Sequence, residues 1–204
     1  MTDIDKREAG LPTLTARFRE ALWWAAFLHA DQARKGSGVP YVAHLLAVTA
    51  LVLEHGGDED AAIAALLHDA VEDQGGKETL ERIRSRYGER VASMVEACSD
   101  TMTSPKPPWR ERKERYIAHL AHVSGNALLV SMADKLHNAR AIRSDYRTNG
   151  EAVWERFRGG KNGTLWYYQA LCEAFARRGS LPELAQELRA EVDEILRLVS
   201  GNTA

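Results

Sequence analysis

The chain has 204 residues, 45% of them hydrophobic and 27% charged, with a formal net charge of −2. That length and balance predict one globular domain over 1–204 with a sizeable core, and give no global attraction to nucleic acid or an anionic membrane. No run of about 18 apolar residues predicts a membrane span, and the opening residues lack a secretory pattern, so a cytoplasmic protein is expected.

Helical periodicity runs through nearly every segment, and no alternating β-branched stretch is long enough to predict a strand. Residues 1–10 are expected to fray. A first helix over 14–35 follows Thr13 as its cap, with Phe18, Leu22, Ala25 and Ala26 on one face. Gly36 to Pro40 break it, and 41–55 form the next helix, stopped by Gly56 and Gly57. Asp58 or Asp60 caps a third helix that carries an apolar run, 61–67, into His68-Asp69-Ala70-Val71-Glu72-Asp73. Short helices near 79–87 and 90–97 precede a loop over 99–108, which its prolines keep from being helical throughout. Helices over 109–123, 126–147, 151–178 (with a glycine interruption) and 182–199 complete an all-α bundle of roughly eight to ten helices. Cys98 and Cys172 are isolated within apolar helical patterns and are expected to be buried free thiols in a reducing compartment.

The 68–73 segment concentrates an imidazole and three carboxylates at the end of a core helix. Residues four apart lie about 40° from alignment, so His68 with Glu72, and Asp69 with Asp73, share neighbouring edges. Acidic groups at a helix C-terminus oppose the macrodipole, and their crowding is costly without a cation. A divalent metal answers that cost. Further ligand candidates are His44, within the apolar 40–46 segment, and Asp134, within the apolar 128–136 segment where an aspartate needs a partner. A lone histidine on an apolar face is more often a core residue than a ligand. Together, however, His44, His68, Asp69 and Asp134 form two histidines and two aspartates on three predicted helices. This mixed nitrogen and oxygen set, without thiolates, suits a first-row divalent ion; manganese fits best, and iron or zinc suits the same ligands. Glu72 and Asp73 then lie where a carboxylate can orient or deprotonate a water.

Three segments resemble the HD-domain metal-dependent phosphohydrolases: 33–44 (Ala-Arg-Lys-Gly with Pro-Tyr-Val-Ala-His), 65–73, and 132–140 (Met-Ala-Asp-Lys-Leu-His-Asn-Ala-Arg). More narrowly, they look like the hydrolase domain of RelA/SpoT-type alarmone enzymes and the small alarmone hydrolases, metazoan SpoT homologues included. The resemblance runs from about 22 to 143, more weakly to about 175. It implies a helical HD domain in which His44, His68, Asp69 and Asp134 bind Mn2+, and Glu72 and Asp73 handle the nucleophilic water. It implies removal of the 3′-pyrophosphate from a purine nucleotide such as ppGpp or ppApp. Arg34 matches a residue that packs on the purine, Lys35 one near the phosphates, and Asn138 one at the sugar; Tyr168 matches a pocket tyrosine. Tyr41 and Lys135, inside the matching segments, are expected to touch the same substrate.

The chain departs from the family at Ala141, where a threonine often stands, and over 156–168, which interleaves basic residues, glycines and aromatics. Arg158 and Lys161 at a helix start can grip pyrophosphate there. Alternatively, most of Trp166, Tyr167 and Tyr168 are simply a packing face. Lys106, Arg110, Arg112 and Lys113 read first as solvated surface, with a substrate-covering role as the second reading. Two other functions stay open: a different HD phosphohydrolase (a nucleotidase or nucleic-acid 3′-end enzyme), and a nucleotide-sensing or antitoxin-like module. The sequence leaves the oligomeric state open.

Overall fold

The structure, a computed structural model, describes residues 13–99, 105–123 and 125–201. Its helices are α1 (Ala16–Leu28), α2 (Val42–Glu54), α3 (Glu59–Leu67), α4 (Ala70–Asp73), α5 (Gly76–Tyr87) and α6 (Glu89–Cys98). They continue with α7 (Trp109–His119), α8 (Gly125–Asn149), a 3-10 segment (Gly150–Arg156), α9 (Gly160–Arg178) and α10 (Pro182–Gly201). The expected fraying of 1–10 and the tip of the 99–108 loop lie outside the described residues. None of the described helices is long and apolar enough to cross a membrane. Cys98 is half-buried and Cys172 buried, both as free thiols.

Helix α3 is the centre of the bundle. Every residue from 61 to 67 is buried, so its apolar character on all sides matches its surroundings. α1, α2, α6 and α8 pack around it. Asp58 starts it by accepting a 3.0 Å hydrogen bond from the Ala61 amide, and Asn126 of α8 donates to the same oxygen. Because α2, α3 and α8 touch one another, side chains from all three can meet in one place.

Three local features differ from the sequence expectation. First, α1 is capped by Thr15 rather than Thr13 and ends at Leu28 rather than near 35. The chain then makes tight turns at 27–32 and a small hairpin in which Ala33 bridges Pro40, with the Arg34 amide donating to the Val39 carbonyl (2.8 Å). Gly36 and Gly38 supply left-handed backbone (φ +83° and +69°) that closes the loop. Arg156 pins it by donating to the Lys35 carbonyl while paired with Asp145 of α8.

Second, the helix expected to run through 68–73 turns at His68 and Asp69 and resumes as the single turn α4. His68 Nδ1 lies 2.7 Å from the Ala65 carbonyl oxygen, the acceptor that a continuing helix would offer to the Asp69 amide. Third, the glycines of 159–163 receive a side chain instead of only freeing backbone. Trp109, at the start of α7, lies against Gly159 and Gly163 so closely that a β-carbon on Gly159 would come within 2.6 Å of its ring. Arg110 lies over Trp166 at 3.2 Å from the ring centroid and Lys113 over Tyr167 at 5.0 Å. Tyr167 and Tyr168 are both buried, while Trp166 is half-buried beneath Arg110.

Candidate metal centre

His44 from the first turn of α2, His68 and Asp69 from the turn between α3 and α4, and Asp134 from the middle of α8 converge. His44 Nε2 lies 3.2 Å from Asp134 Oδ1 and 3.5 Å from Asp69 Oδ2. His68 Nε2 lies 3.0 Å from Asp69 Oδ2 and 3.6 Å from Asp134 Oδ1. His44, His68 and Asp134 are 1%, 2% and 6% exposed, whereas the Asp69 side chain retains 22% and forms the open side. One ligand atom from each of His44, His68 and Asp134 falls within 4.8 Å of the others.

The hydrogen bonding around these groups bears on whether a cation fits. His68 Nδ1 donates to the Ala65 carbonyl, so Nε2 is the nitrogen that turns to the carboxylates. That Nε2 is buried and lacks a hydrogen-bond partner. Two carboxylates beside it offer no donor to a neutral ring, so this nitrogen calls for a proton or a cation. A divalent cation satisfies all three at once, and the neutral imidazole and carboxylate donors match such an ion.

In the metal-free protein, burial pushes Asp69 and Asp134 toward the neutral form, but neighbouring charge outweighs it. His68 holds the Asp69 carboxyl well below the usual carboxylate range, and Lys135 with the two histidines does the same for Asp134. Burial likewise opposes charge on His68, yet Asp69 and Asp134 hold its pKa well above the ordinary histidine value. Burial, chiefly, also raises the Tyr41 hydroxyl, assisted by Asp69, and it remains a neutral donor to Asp69 Oδ2 at 2.6 Å.

The other expected site residues divide into those gathered here and those that are not. Asn138 Nδ2 donates to Asp134 Oδ1 at 2.6 Å, and Arg34 Nη2 donates to Asn138 Oδ1 at 2.8 Å, so a continuous chain of bonds links the hairpin to α8. Lys135 pairs with Asp134 and lies over the Tyr116 ring. Tyr168 is buried within electrostatic reach of Lys135, Asp134 and Arg34; its burial, above all, raises its hydroxyl pKa. Lys35 is exposed on the hairpin. Glu72 and Asp73 lie on α4 beyond the ligands: Lys106 Nζ donates to Glu72 at 2.8 Å, and Gln32 Nε2 donates to Asp73 at 2.8 Å. Asp73 lines an open cleft of about 400 Å3 with Asp31, Gln32 and Gln74. Arg158 and Lys161 are not brought to the centre: Arg158 is exposed, and Lys161 pairs with Glu151 on the 3-10 segment.

Sequence reasoning passed over Gln32 and His137. Gln32 accepts from Gln74 and lies 2.7 Å from His29 Nδ1, which fixes its amide against Asp73. It lies in a turn, where helical spacing gives no signal. His137 Nδ1 lies 2.7 Å from His44 Nδ1, with ring centroids 4.8 Å apart. Burial first, then His44 and Arg34, lower its pKa to about 4.

Comparisons with known proteins agree on the family. The HD-domain family matches residues 21–165. Guanosine-3′,5′-bis(diphosphate) 3′-pyrophosphohydrolase MESH1 of Mus musculus is 33% identical over 176 residues, covering 80% of this chain and 96% of that protein. Its Xenopus tropicalis counterpart is 41% identical over 127 residues, covering 61% of this chain and 68% of that one. A solved metazoan orthologue of SpoT, described as hydrolysing ppGpp and acting in starvation responses, superposes with a TM-score of 0.72 at 28% identity, over 88% of this chain and 96% of its own. With the matched stretch holding every ligand candidate and both α4 carboxylates, the chain belongs to the HD-domain family, in the branch of the guanosine-3′,5′-bis(diphosphate) 3′-pyrophosphohydrolases.

Proposed function

We propose that this chain is a Mn2+-dependent hydrolase that removes the 3′-pyrophosphate of purine nucleotide alarmones, (p)ppGpp or (p)ppApp. The products are pyrophosphate and the 5′-phosphorylated nucleoside. The observation that carries the reading is the buried His44, His68, Asp134 cluster, open on the Asp69 side, with Glu72 and Asp73 on the single turn that follows Asp69. His44, His68, Asp69 and Asp134 would hold the ion. When bound, a divalent ion supplies Lewis-acid charge to a phosphoryl oxygen and acidifies water.

The remaining work falls to the chain's own side chains. Glu72 and Asp73 orient the attacking water and take its proton, as carboxylates held at the mouth of the cluster can. The water oxygen joins the phosphorus attached to the ribose 3′ oxygen, that bond breaks, and the freed 3′ oxygen takes up a proton. Arg34 stacks its planar guanidinium on the purine, and Asn138, already bonded to Arg34 and Asp134, meets the ribose. Lys35, Tyr41, Lys135 and Tyr168 complete the substrate surroundings. Lys161 reaches the substrate only if it leaves Glu151. Both cysteines being free thiols supports a cytoplasmic setting.

The test is a side-by-side turnover assay on ppGpp, pppGpp and ppApp with Mn2+. Pyrophosphate release is expected from at least one of them. Orthophosphate release from ordinary mononucleotides instead would favour a different phosphohydrolase. Tight binding of all three without cleavage would favour a sensing module.

A further inference from the structure

The two histidines of the centre are oriented by different means. His68 Nδ1 faces a backbone carbonyl, which can only accept, so Nδ1 keeps its proton and Nε2 is the nitrogen left for an ion. His44 Nδ1 instead faces Nδ1 of His137, three residues beyond Asp134 on α8, at 2.7 Å. Two imidazole nitrogens at that distance share one proton: one ring donates and the other accepts. His44 presents its opposite nitrogen, Nε2, to Asp134 and Asp69, so an ion held there requires the lone pair on Nε2 and the proton on Nδ1. The acceptor must then be His137. Its nitrogen contacts the edge of His44 remote from the cluster, so it supports the ligand rather than serving as one.

We propose that His137 is the positioning residue for His44, accepting its Nδ1 proton and thereby presenting Nε2 to the metal. This rests on the metal-site reading above. His137 also completes the packing that fixes the ring, since His44 stands edge-on between Tyr41 and His68 with centroids 5.5 and 5.2 Å away. The two ligands hence have unequal supports. A backbone carbonyl cannot be mutated away, whereas the support of His44 depends on a single side chain.

The test compares His137→Leu, which keeps bulk but cannot accept, with His137→Asn, whose side-chain oxygen can occupy the place of Nδ1. Calorimetric titration with Mn2+ alone should show the Leu variant weakened by about 10- to 100-fold, the scale for lost outer-shell partners, and the Asn variant restored to within several-fold of the parent. In Zn2+-loaded protein labelled with 15N-histidine, the His44 Nδ1 should carry the proton and the His137 Nδ1 should not. Equal Mn2+ affinity in the parent and the Leu variant, or a proton found on His137 Nδ1, overturns the assignment. Absence of divalent-metal binding by the parent would instead defeat the metal-site reading itself, so the two failures are distinguishable.

Discussion

Glu72 and Asp73 adjoin in sequence but meet different partners. Glu72 receives the Lys106 ammonium, and Asp73 receives the amide of Gln32, which is itself held by Gln74. Each carboxylate therefore has one oxygen engaged and another available to a water. Glu72→Gln keeps the shape and still offers an oxygen to Lys106, but it removes the proton-accepting charge. Turnover should fall by roughly two orders of magnitude or more, the scale of general-base loss, with Mn2+ affinity unchanged because Glu72 lies outside the proposed ligand set. Steady-state kinetics beside a metal titration decide it, and normal turnover in the variant would remove Glu72 from that role. The pairing of His137 with His44 shows what residue-level reading of a sequence misses. Both stand out as histidines, yet an Nδ1-to-Nδ1 contact across 93 positions leaves no local signature.

At the scale of elements, the helical plan was legible because the core helices carry their own evidence. The 61–67 run is apolar on every side and proves buried on every side. The ligand candidates were legible for the complementary reason, as polar groups embedded in apolar helices. The turn at His68 and Asp69 was not, because a side chain's bond to the Ala65 carbonyl decides it. Nor was the use of the glycines near 160, since the residue they receive, Trp109, lies some fifty positions earlier and joins them only in the tertiary structure. The two neighbouring glycines differ in kind. Gly159 has an ordinary φ of −80° but no room for a β-carbon, whereas Gly160 has room but a φ of +58°. Gly159→Ala should destabilise by about 1–3 kcal/mol through overpacking. Adding Trp109→Ala should make the pair clearly less costly than the sum of the singles, while Gly160→Ala combined with Trp109→Ala should be near additive. Denaturant unfolding of the set provides the cycle, and additivity at Gly159 would disprove the Trp109 seat.

For the whole molecule, the centre ties together α2, α3 and α8 around the core, so its charge state enters global stability. Without metal, His68 is held above its ordinary pKa. Its contribution is therefore fully present below the unfolded histidine value and is lost as pH rises through the folded one. Asp69 and Asp134 are held below theirs, so their contribution is present above the ordinary carboxylate range and is lost as pH falls through the folded values. Between those limits a protonated His68 partly neutralises the carboxylates, and a metal ion must displace that proton. Mn2+ affinity should therefore rise with pH, by up to about tenfold per unit for one proton displaced, until the raised His68 value is passed. Binding to the folded state alone at 100 times the dissociation constant adds about 2.7 kcal/mol, or roughly 5–11 °C in melting temperature for a chain of this length. At one fixed Mn2+ concentration, the melting shift should be larger at about pH 8 than at about pH 6, and a chelator should reverse it. His68→Ala removes both the ligand and the displaced proton, and should abolish the shift at either pH. A shift that ignores pH in the parent, or persists in His68→Ala, would mean that the ion binds somewhere other than this centre.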